Sequence, residues 1–313
     1  MSTRPQTRGK AVHGEEAGLG AEKAVIESVP SNSVPIRGRG RVVSNESDGN
    51  GRKLRLAISD WPASIPGQFV MVGAGSEAGV PRHDPLLPRP MAVYRELGTG
   101  AGRGEREVEL LYRVVGRGTT LLSEATPGQR VSIVGPLGQG FPVEAVGSGS
   151  TTGPALLVGG GTGIASLYEL ARALAGSGRK VVVMLGARTR ADLIGRGDFA
   201  ELAETLGVEL VCATEDGSEG IHGRVTVPLA ERLKTGGGSA TVYSVGPTPM
   251  MRACAEIAAN HGAPCLVSLE NPMACGFGVC LGCAAPRAEG GFSLVCRAGP
   301  VFDAREIDWE GLP

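Results

Sequence analysis

Long apolar runs are missing from this chain, and so is any excess of charge. No stretch of about eighteen apolar residues occurs, so nothing in it is built to cross a bilayer as a helix. Lysine plus arginine number 31 and aspartate plus glutamate 32, a balance that gives no electrostatic pull toward a nucleic acid or an anionic membrane surface. Aromatic residues are only 4% of the chain, which leaves the core to Val, Leu, Ile and Ala. Histidine is scarce too: His222 and His261 stand without a Ser or Asp partner, as surface or capping residues do, and no catalytic residue is assigned. The first 35 residues lack the apolar core of a secretory leader, so the expected compartment is the cytoplasm.

Glycine, by contrast, is abundant. Fifty glycines without a collagen-like period imply many tight turns and close backbone approaches to ligands. Cysteine is concentrated. Of seven, Cys275, Cys280, Cys283 and Cys296 read C-x4-C-x2-C-x12-C. Three thiolates from one tight loop with that spacing and a fourth from further on match a plant-type two-iron two-sulfur cluster. Gly276, Gly278 and Gly282 would let backbone N–H groups turn toward the sulfur atoms, with Phe277 and Val279 as an apolar shield. A structural zinc site stays open, although it favours two C-x2-C pairs and only Cys280 and Cys283 form one. An odd cysteine total argues against a disulfide framework.

The length suits two or three domains. Residues 1–36 are rich in Gly, Ser, Glu and Arg with no apolar period, and read as a disordered tail. Residues 37–148 carry six alternating segments, GRVVSN, KLRLAIS, GQFVMVG, RPMAVYR, EVELLYRVV and QRVSIVG, separated by Gly and Pro turns. They predict an antiparallel six-stranded β-barrel with one short helix near Thr119–Ser123. Arg89 and Pro90 open the fourth strand, where an arginine can clamp a phosphate.

Residues 149–263 alternate buried strand and amphipathic helix, the pattern of a doubly wound α/β domain. Its first strand runs into Gly159, Gly160, Gly161, Thr162 and Gly163 and then into a helix, a setting suited to a dinucleotide pyrophosphate. The turn lacks a third glycine at the usual offset, and no acid ends the second strand at Arg188. Asp216, after the third strand, could hold a ribose or the nicotinamide amide. Gly246 and Pro247 open another helix at the same sheet edge. Arg188 and Arg190 leave NADP open as an alternative to NAD. Residues 264–313 form the cysteine-bearing domain, so the fold class is α+β multidomain.

Three motifs in this order, RPMAV, GGGTGIASLYEL with YSVGPTPMM, and MACGFGVCLGC ending in VCRAGPVFDA, resemble the electron-transfer subunit of type B dihydroorotate dehydrogenase, within the ferredoxin-reductase-like superfamily. The likeness covers about residues 38–303. It implies FAD, a two-iron two-sulfur cluster and NAD(H) as co-substrate. The family's flavin motif falls on Arg89, Pro90, Met91 and Ala92; Leu111, Tyr112 and Arg113 match its strand beside the flavin; Gly118 and Thr119 match the turn over the FAD phosphates. Its partner would be an FMN-containing catalytic subunit, in a heterotetramer of two plus two, acting in pyrimidine biosynthesis. Ala92 stands where the family has Ser or Thr, and Val245 where the superfamily commonly has Cys. Reductase subunits of hydrogenase, sulfite reductase or ferredoxin-NADP complexes share these motifs, and a zinc-stabilised module without catalysis is the reading from another class.

Overall fold

The computed structural model of the chain describes residues 34–74, 85, 87–98, 104–143, 153–236 and 239–312. Nearly all of the tail expected at 1–36, and the boundary expected at 148/149, lie outside the described residues.

Seven antiparallel strands make the first unit: β1 (Ile36–Asp48), β2 (Gly51–Ser59), β3 (Phe69–Gly73), β4 (Arg89–Ala92), β5 (Arg95–Leu97), β6 (Glu105–Tyr112) and β7 (Arg130–Leu137). Their order is β4-β3-β7-β1-β2-β6-β5. The period-two pattern is why they form: in β2, Leu54, Leu56 and Ile58 turn inward and share a core with Val70, Leu110 and Ile133, while Arg55 faces out. The expected count of six becomes seven because RPMAVYR is cut in two. The Val93 N–H donates to the Gln68 carbonyl (3.0 Å) and the Tyr94 N–H to the Glu109 carbonyl (2.9 Å), so the chain steps at that point from one end of the sheet to the other. This step closes the curled sheet. A seven-residue helix, α1 (Arg117–Ser123), precedes β7.

The second sheet contains β8 (Ala155–Gly160), β9 (Val181–Ala187), β10 (Glu209–Thr214), β11 (Ile221–His222), β12 (Thr241–Val245) and β13 (Cys265–Ser268) in parallel, with helices α2 (Tyr168–Gly176), α3 (Arg196–Leu206), α4 (Thr226–Lys234) and α5 (Thr248–Asn260). Successive strand residues serve opposite faces. Leu156 and Val158 join the core under α4 and α5, whereas Leu157 joins the core under α2 and α3. Both faces are covered, which explains why these strands read as unbroken apolar runs. The order β11-β10-β9-β8-β12-β13 reverses direction between β8 and β12, and a crevice opens at the carboxyl ends of those two strands.

The sheet does not stop at residue 263. β13 extends it, and β16 (Val301–Asp303) returns antiparallel to β13 after the cysteine loop, the hairpin of β14 (Ala284–Pro286) and β15 (Phe292–Leu294), and the short helix α6 (Val295–Ala298). The expected boundary at 263/264 therefore falls inside a continuous sheet, since Cys265–Ser268 is as apolar and buried as the strands beside it. Among the described residues no helix is long and apolar enough to cross a membrane.

A charge cluster fastens barrel to sheet. Asp198 of α3 accepts from the Tyr94 hydroxyl (2.7 Å), Arg95 Nη1 (2.6 Å) and Lys53 Nζ (2.5 Å). Arg95 also lies over the Tyr168 ring, 5.0 Å from its centroid. Burial, and then Asp198, push the Tyr94 hydroxyl well above its ordinary pKa, so it remains a donor. Removing one partner of such a largely buried set leaves unpaired charge. Asp198→Ala should lower stability by about 3 kcal/mol. Arg41→Ala, which breaks the exposed pair with Glu105, should change it by less than about 1 kcal/mol. Urea unfolding of the two variants checks the difference.

Candidate functional site

A cleft of about 380 Å³ lies where barrel, sheet and cysteine segment meet. Its walls include Arg89, Pro90, Met91 and Ala92 from β4, Leu111 and Tyr112 from β6, Arg113, and Thr119 of α1. Thr162, Ser166 and Val245 come from the nucleotide-domain crevice, and Ser268, Leu269, Glu270, Asn271 and Met273 from the approach to the cysteines. Of the barrel residues expected at a flavin, only Gly118 is not on the wall; it lies behind it, where a Cβ would sit 2.8 Å from Arg89 Nε. The Arg89 guanidinium donates to the Leu87 carbonyl (2.9 Å). Two expected contacts are partly committed elsewhere. The Tyr112 hydroxyl points into the barrel and donates to Asn45 Oδ1 (2.9 Å), and Thr119 Oγ1 accepts from the N–H groups of Val115 and Gly116 to close the turn into α1. An arginine in a cradle kept open by a glycine, beside apolar walls, fits a flavin nucleotide.

A second cleft, about 540 Å³, occupies the crevice itself and is lined by Gly160, Gly161, Arg188, Glu215, Arg224 and Pro247 among others. The expected glycine turn divides its labour. Gly161 has φ +58° and open space where a Cβ would go, as a backbone meeting a ligand requires. Gly163 serves packing, because a Cβ there would lie 2.7 Å from the Gly246 nitrogen. Gly159 backs onto Ile164 and Leu167, while Thr162 faces the first cleft. The segment from Gly161 to Leu167 is a 3-10 helix before α2 begins. Asp216 does not line this cleft. Its carboxylate accepts from the Ser218 N–H (3.0 Å) and hydroxyl (2.6 Å) in a turn, and the neighbouring Glu215 faces the cleft instead. Arg188 is on the wall, whereas Arg190 pairs with Glu219 (3.5 Å). Arg113, bonded to Asp192 (2.9 Å), borders both clefts, so the two are contiguous.

The cysteine loop is seated on the barrel. Gly276 has φ +82°, and a Cβ there would meet Met71 Cγ of β3 at 2.4 Å. Cys283 and Cys296 are buried with their sulfurs 3.2 Å apart, Cys275 is half-buried and Cys280 exposed. All seven cysteines are free. The Phe277 N–H points at the Cys275 sulfur and the Cys296 N–H at the Cys283 sulfur, each at 3.5 Å. Burial pushes the Cys275 thiol up, but the backbone N–H of Cys280 and then of Phe277 outweigh it and hold the thiol at about 6. Burial, with Cys283 beside it, pushes Cys296 to about 12. Among the described residues no three His, Cys, Asp or Glu side chains converge as a single-ion site would. Four free thiols with backbone donors aimed at sulfur form a donor set suited to an iron-sulfur cluster. One expectation fails: Phe277 (52% exposed) and Val279 (74%) do not shield the sulfurs. The left-handed glycines turn backbone inward, which sends the intervening side chains out.

Family models match two stretches of the chain: the iron-sulfur cluster binding domain of dihydroorotate dehydrogenase B over residues 270–308, and the oxidoreductase NAD-binding domain over residues 157–256. The dihydroorotate dehydrogenase B (NAD(+)) electron transfer subunit of Bacillus caldolyticus is 41% identical over 244 residues, 77% of this chain and 86% of that protein. The chain belongs to this electron transfer subunit family. The subunit from Desulforamulus reducens is 38% identical over 79% of this chain and 88% of its own. A solved NADH-dependent reduced ferredoxin-NADP oxidoreductase chain superposes with TM-score 0.72 at 30% identity, covering 87% of this chain and 91% of that one. A cytochrome P450 reductase from Amycolatopsis does so at 0.58 and 26%, covering 72% and 66%. The match over residues 270–308, the segment that contains Cys275, Cys280, Cys283 and Cys296, favours an iron-sulfur cluster over zinc in this part of the chain.

The glycine turn offers a clean test. Gly161→Ala should fold and weaken NADH binding several-fold, because about 1 kcal/mol of left-handed strain is relieved by turning the backbone out of its cleft-facing conformation, where open space allows it. Gly163→Ala should instead lower the melting temperature. Calorimetric titration and thermal unfolding separate the two outcomes.

Proposed function

We propose that this subunit moves electrons between NAD(H), FAD and a two-iron two-sulfur cluster, to or from the FMN of a separate dihydroorotate dehydrogenase catalytic subunit. The supporting observation is the contiguity of the three sites: Arg113 borders both clefts, and the cysteine loop rests on Met71 behind the first. When bound, the flavin supplies the change from two-electron to one-electron chemistry that a nicotinamide and a cluster cannot make directly.

The chain's own residues bind and orient. Arg89, whose guanidinium donates to the Leu87 carbonyl, would receive the FAD pyrophosphate. Pro90 and Met91 set the strand, Ala92 faces the ring without a hydroxyl, and Leu111, Tyr112 and Arg113 form the adjoining wall. Gly118 leaves room for the Arg89 guanidinium, and Thr119 organises the turn above it. Backbone N–H groups of Gly160 and Gly161 meet the dinucleotide phosphates, with Gly246 and Pro247 across the crevice. Glu215 suits ribose hydroxyls and disfavours a 2′-phosphate, which supports NAD over NADP. Cys275, Cys280, Cys283 and Cys296 ligate the cluster.

Phe277, Val279 and Leu281 (63% exposed) surround the exposed Cys280 and form the docking face for the catalytic subunit. Leu281 has φ +61°, a costly conformation for a branched residue, held where its side chain is turned to solvent. A cytoplasmic heterotetramer of two such pairs completes the reading, and the free thiols suit a reducing compartment.

The test is co-purification with the catalytic subunit and assay of orotate-dependent NADH oxidation. A stable pair that cannot turn over dihydroorotate would sink the reading and favour a ferredoxin-NADP type complex, the activity named for the structural relative at TM-score 0.72. Leu281→Glu should cut turnover by the pair at least tenfold while NADH-to-dye activity stays unchanged. Loss of both activities together would contradict this docking face.

A further inference from the structure

The loop that carries the first three cluster cysteines has no charge of its own: from Asn271 to Pro286 not one side chain is Asp, Glu, Lys, Arg or His. The chain's return brings a cation back to it. Arg297, directly after Cys296 in α6, lays its stem across the Cα of Gly278, where a Cβ would sit 2.8 Å from Arg297 Cγ and closer still to Cδ. Gly278 has φ +86°, and its N–H points at the Cys296 sulfur, so the loop is held at this residue from two sides. The neighbouring cations are committed elsewhere. Arg287 donates to Ser293 Oγ (3.5 Å) and Glu306 (3.3 Å), and Arg305 to Asp303 (2.6 Å). Arg297 is exposed, and among the described residues no hydrogen bond or ion pair engages its guanidinium. Its stem is packed and its charge is left over.

Charge balance gives such a cation a role. Two ferric ions, two sulfides and four thiolates sum to two negative charges, and each electron that arrives makes them three, with no proton taken up to offset it. An uncharged loop does little to ease that step. A fixed cation within a Debye length does, because its attraction to the reduced form exceeds its attraction to the oxidised one. We propose that Arg297 sets the reduction potential of the cluster: its guanidinium, held beside the cysteine loop by the packing of its stem on Gly278, favours the reduced state and so eases electron arrival. It acts through the loop and touches no reacting atom, as a positioning residue does. The inference rests on the iron-sulfur reading of the four cysteines, and the iron and sulfide content of the purified protein reports on that reading separately.

Arg297→Gln keeps carbons at the Cγ and Cδ positions that lie on Gly278 and removes the charge. The variant should retain iron, sulfide, FAD and melting temperature, and NADH should reduce its flavin at the wild-type rate. In a redox titration followed by electron paramagnetic resonance, the equilibrium constant for cluster reduction should fall about fivefold, a drop of about 40 mV at 59 mV per tenfold for a one-electron couple. Arg297→Lys should hold the wild-type potential, and Arg297→Glu should fall about twice as far as the Gln variant. Because the guanidinium is exposed, the difference between wild type and Gln should shrink by roughly half or more between about 0.01 and 1 M salt. Midpoint potentials unchanged in both the Gln and Glu variants overturn the proposal. So does an equal drop in the Lys and Gln variants, which would make packing and not charge the cause, and so does loss of iron from the Gln variant, which would make Arg297 a support of the loop. A wild-type protein that holds zinc and no sulfide would instead refute the reading of the cysteines.

Discussion

Asp198 accepts from three donors that belong to the other half of the molecule, and the relation between the two sheets depends on it. A carboxylate that is only 12% exposed has lost most of its hydration, and three short charge-assisted bonds offset that loss. The Tyr94, Tyr168 and Phe199 rings pack beside the cluster in edge-to-face and tilted contacts, which lowers the local dielectric and strengthens it. Arg113 repeats the arrangement nearer the clefts through Asp192, whose carboxyl is held below its usual range by the Asn50 amide, against burial, and then by Thr189 and Arg113. Two carboxylates of one domain thus hold cations of the other, and the spacing of the clefts follows from them.

Much of this architecture was legible in the chain because its signals are local. Alternation in KLRLAIS and the apolar run of Val181–Leu185 each specify a strand and its number of buried faces without reference to anything distant. The cysteine spacing is equally local, and a loop that must wrap a cluster admits few others. The parts that were not legible are those where two distant segments decide together. Nothing in RPMAVYR indicates that its halves pair with different strands, because the choice is made by β3 and β6 on either side. Asp216 and Glu215 are equivalent as letters; which faces the crevice depends on the turn made by Ser218 and Gly217.

The glycines of the two binding segments show that one residue type can answer different demands. At Gly161 the requirement is a backbone angle, at Gly163 a distance between main chains, and at Gly118 the space for an arginine. Phe277 and Val279 make the complementary point: where glycine bends the backbone inward around sulfur, residues between are forced outward, so the geometry of ligation and the apolar surface are consequences of one loop conformation.

The two-residue step at Val93 and Tyr94 joins the ends of the barrel sheet, and the second sheet finishes at β11 and β16, only two and three residues long. Among the described residues neither sheet offers a long row of unpaired backbone groups to another chain. Association by strand addition is thereby disfavoured in a protein that exposes Phe277, Val279 and Leu281. Contact with other molecules is left to side chains on loops, where it can be specific and reversible.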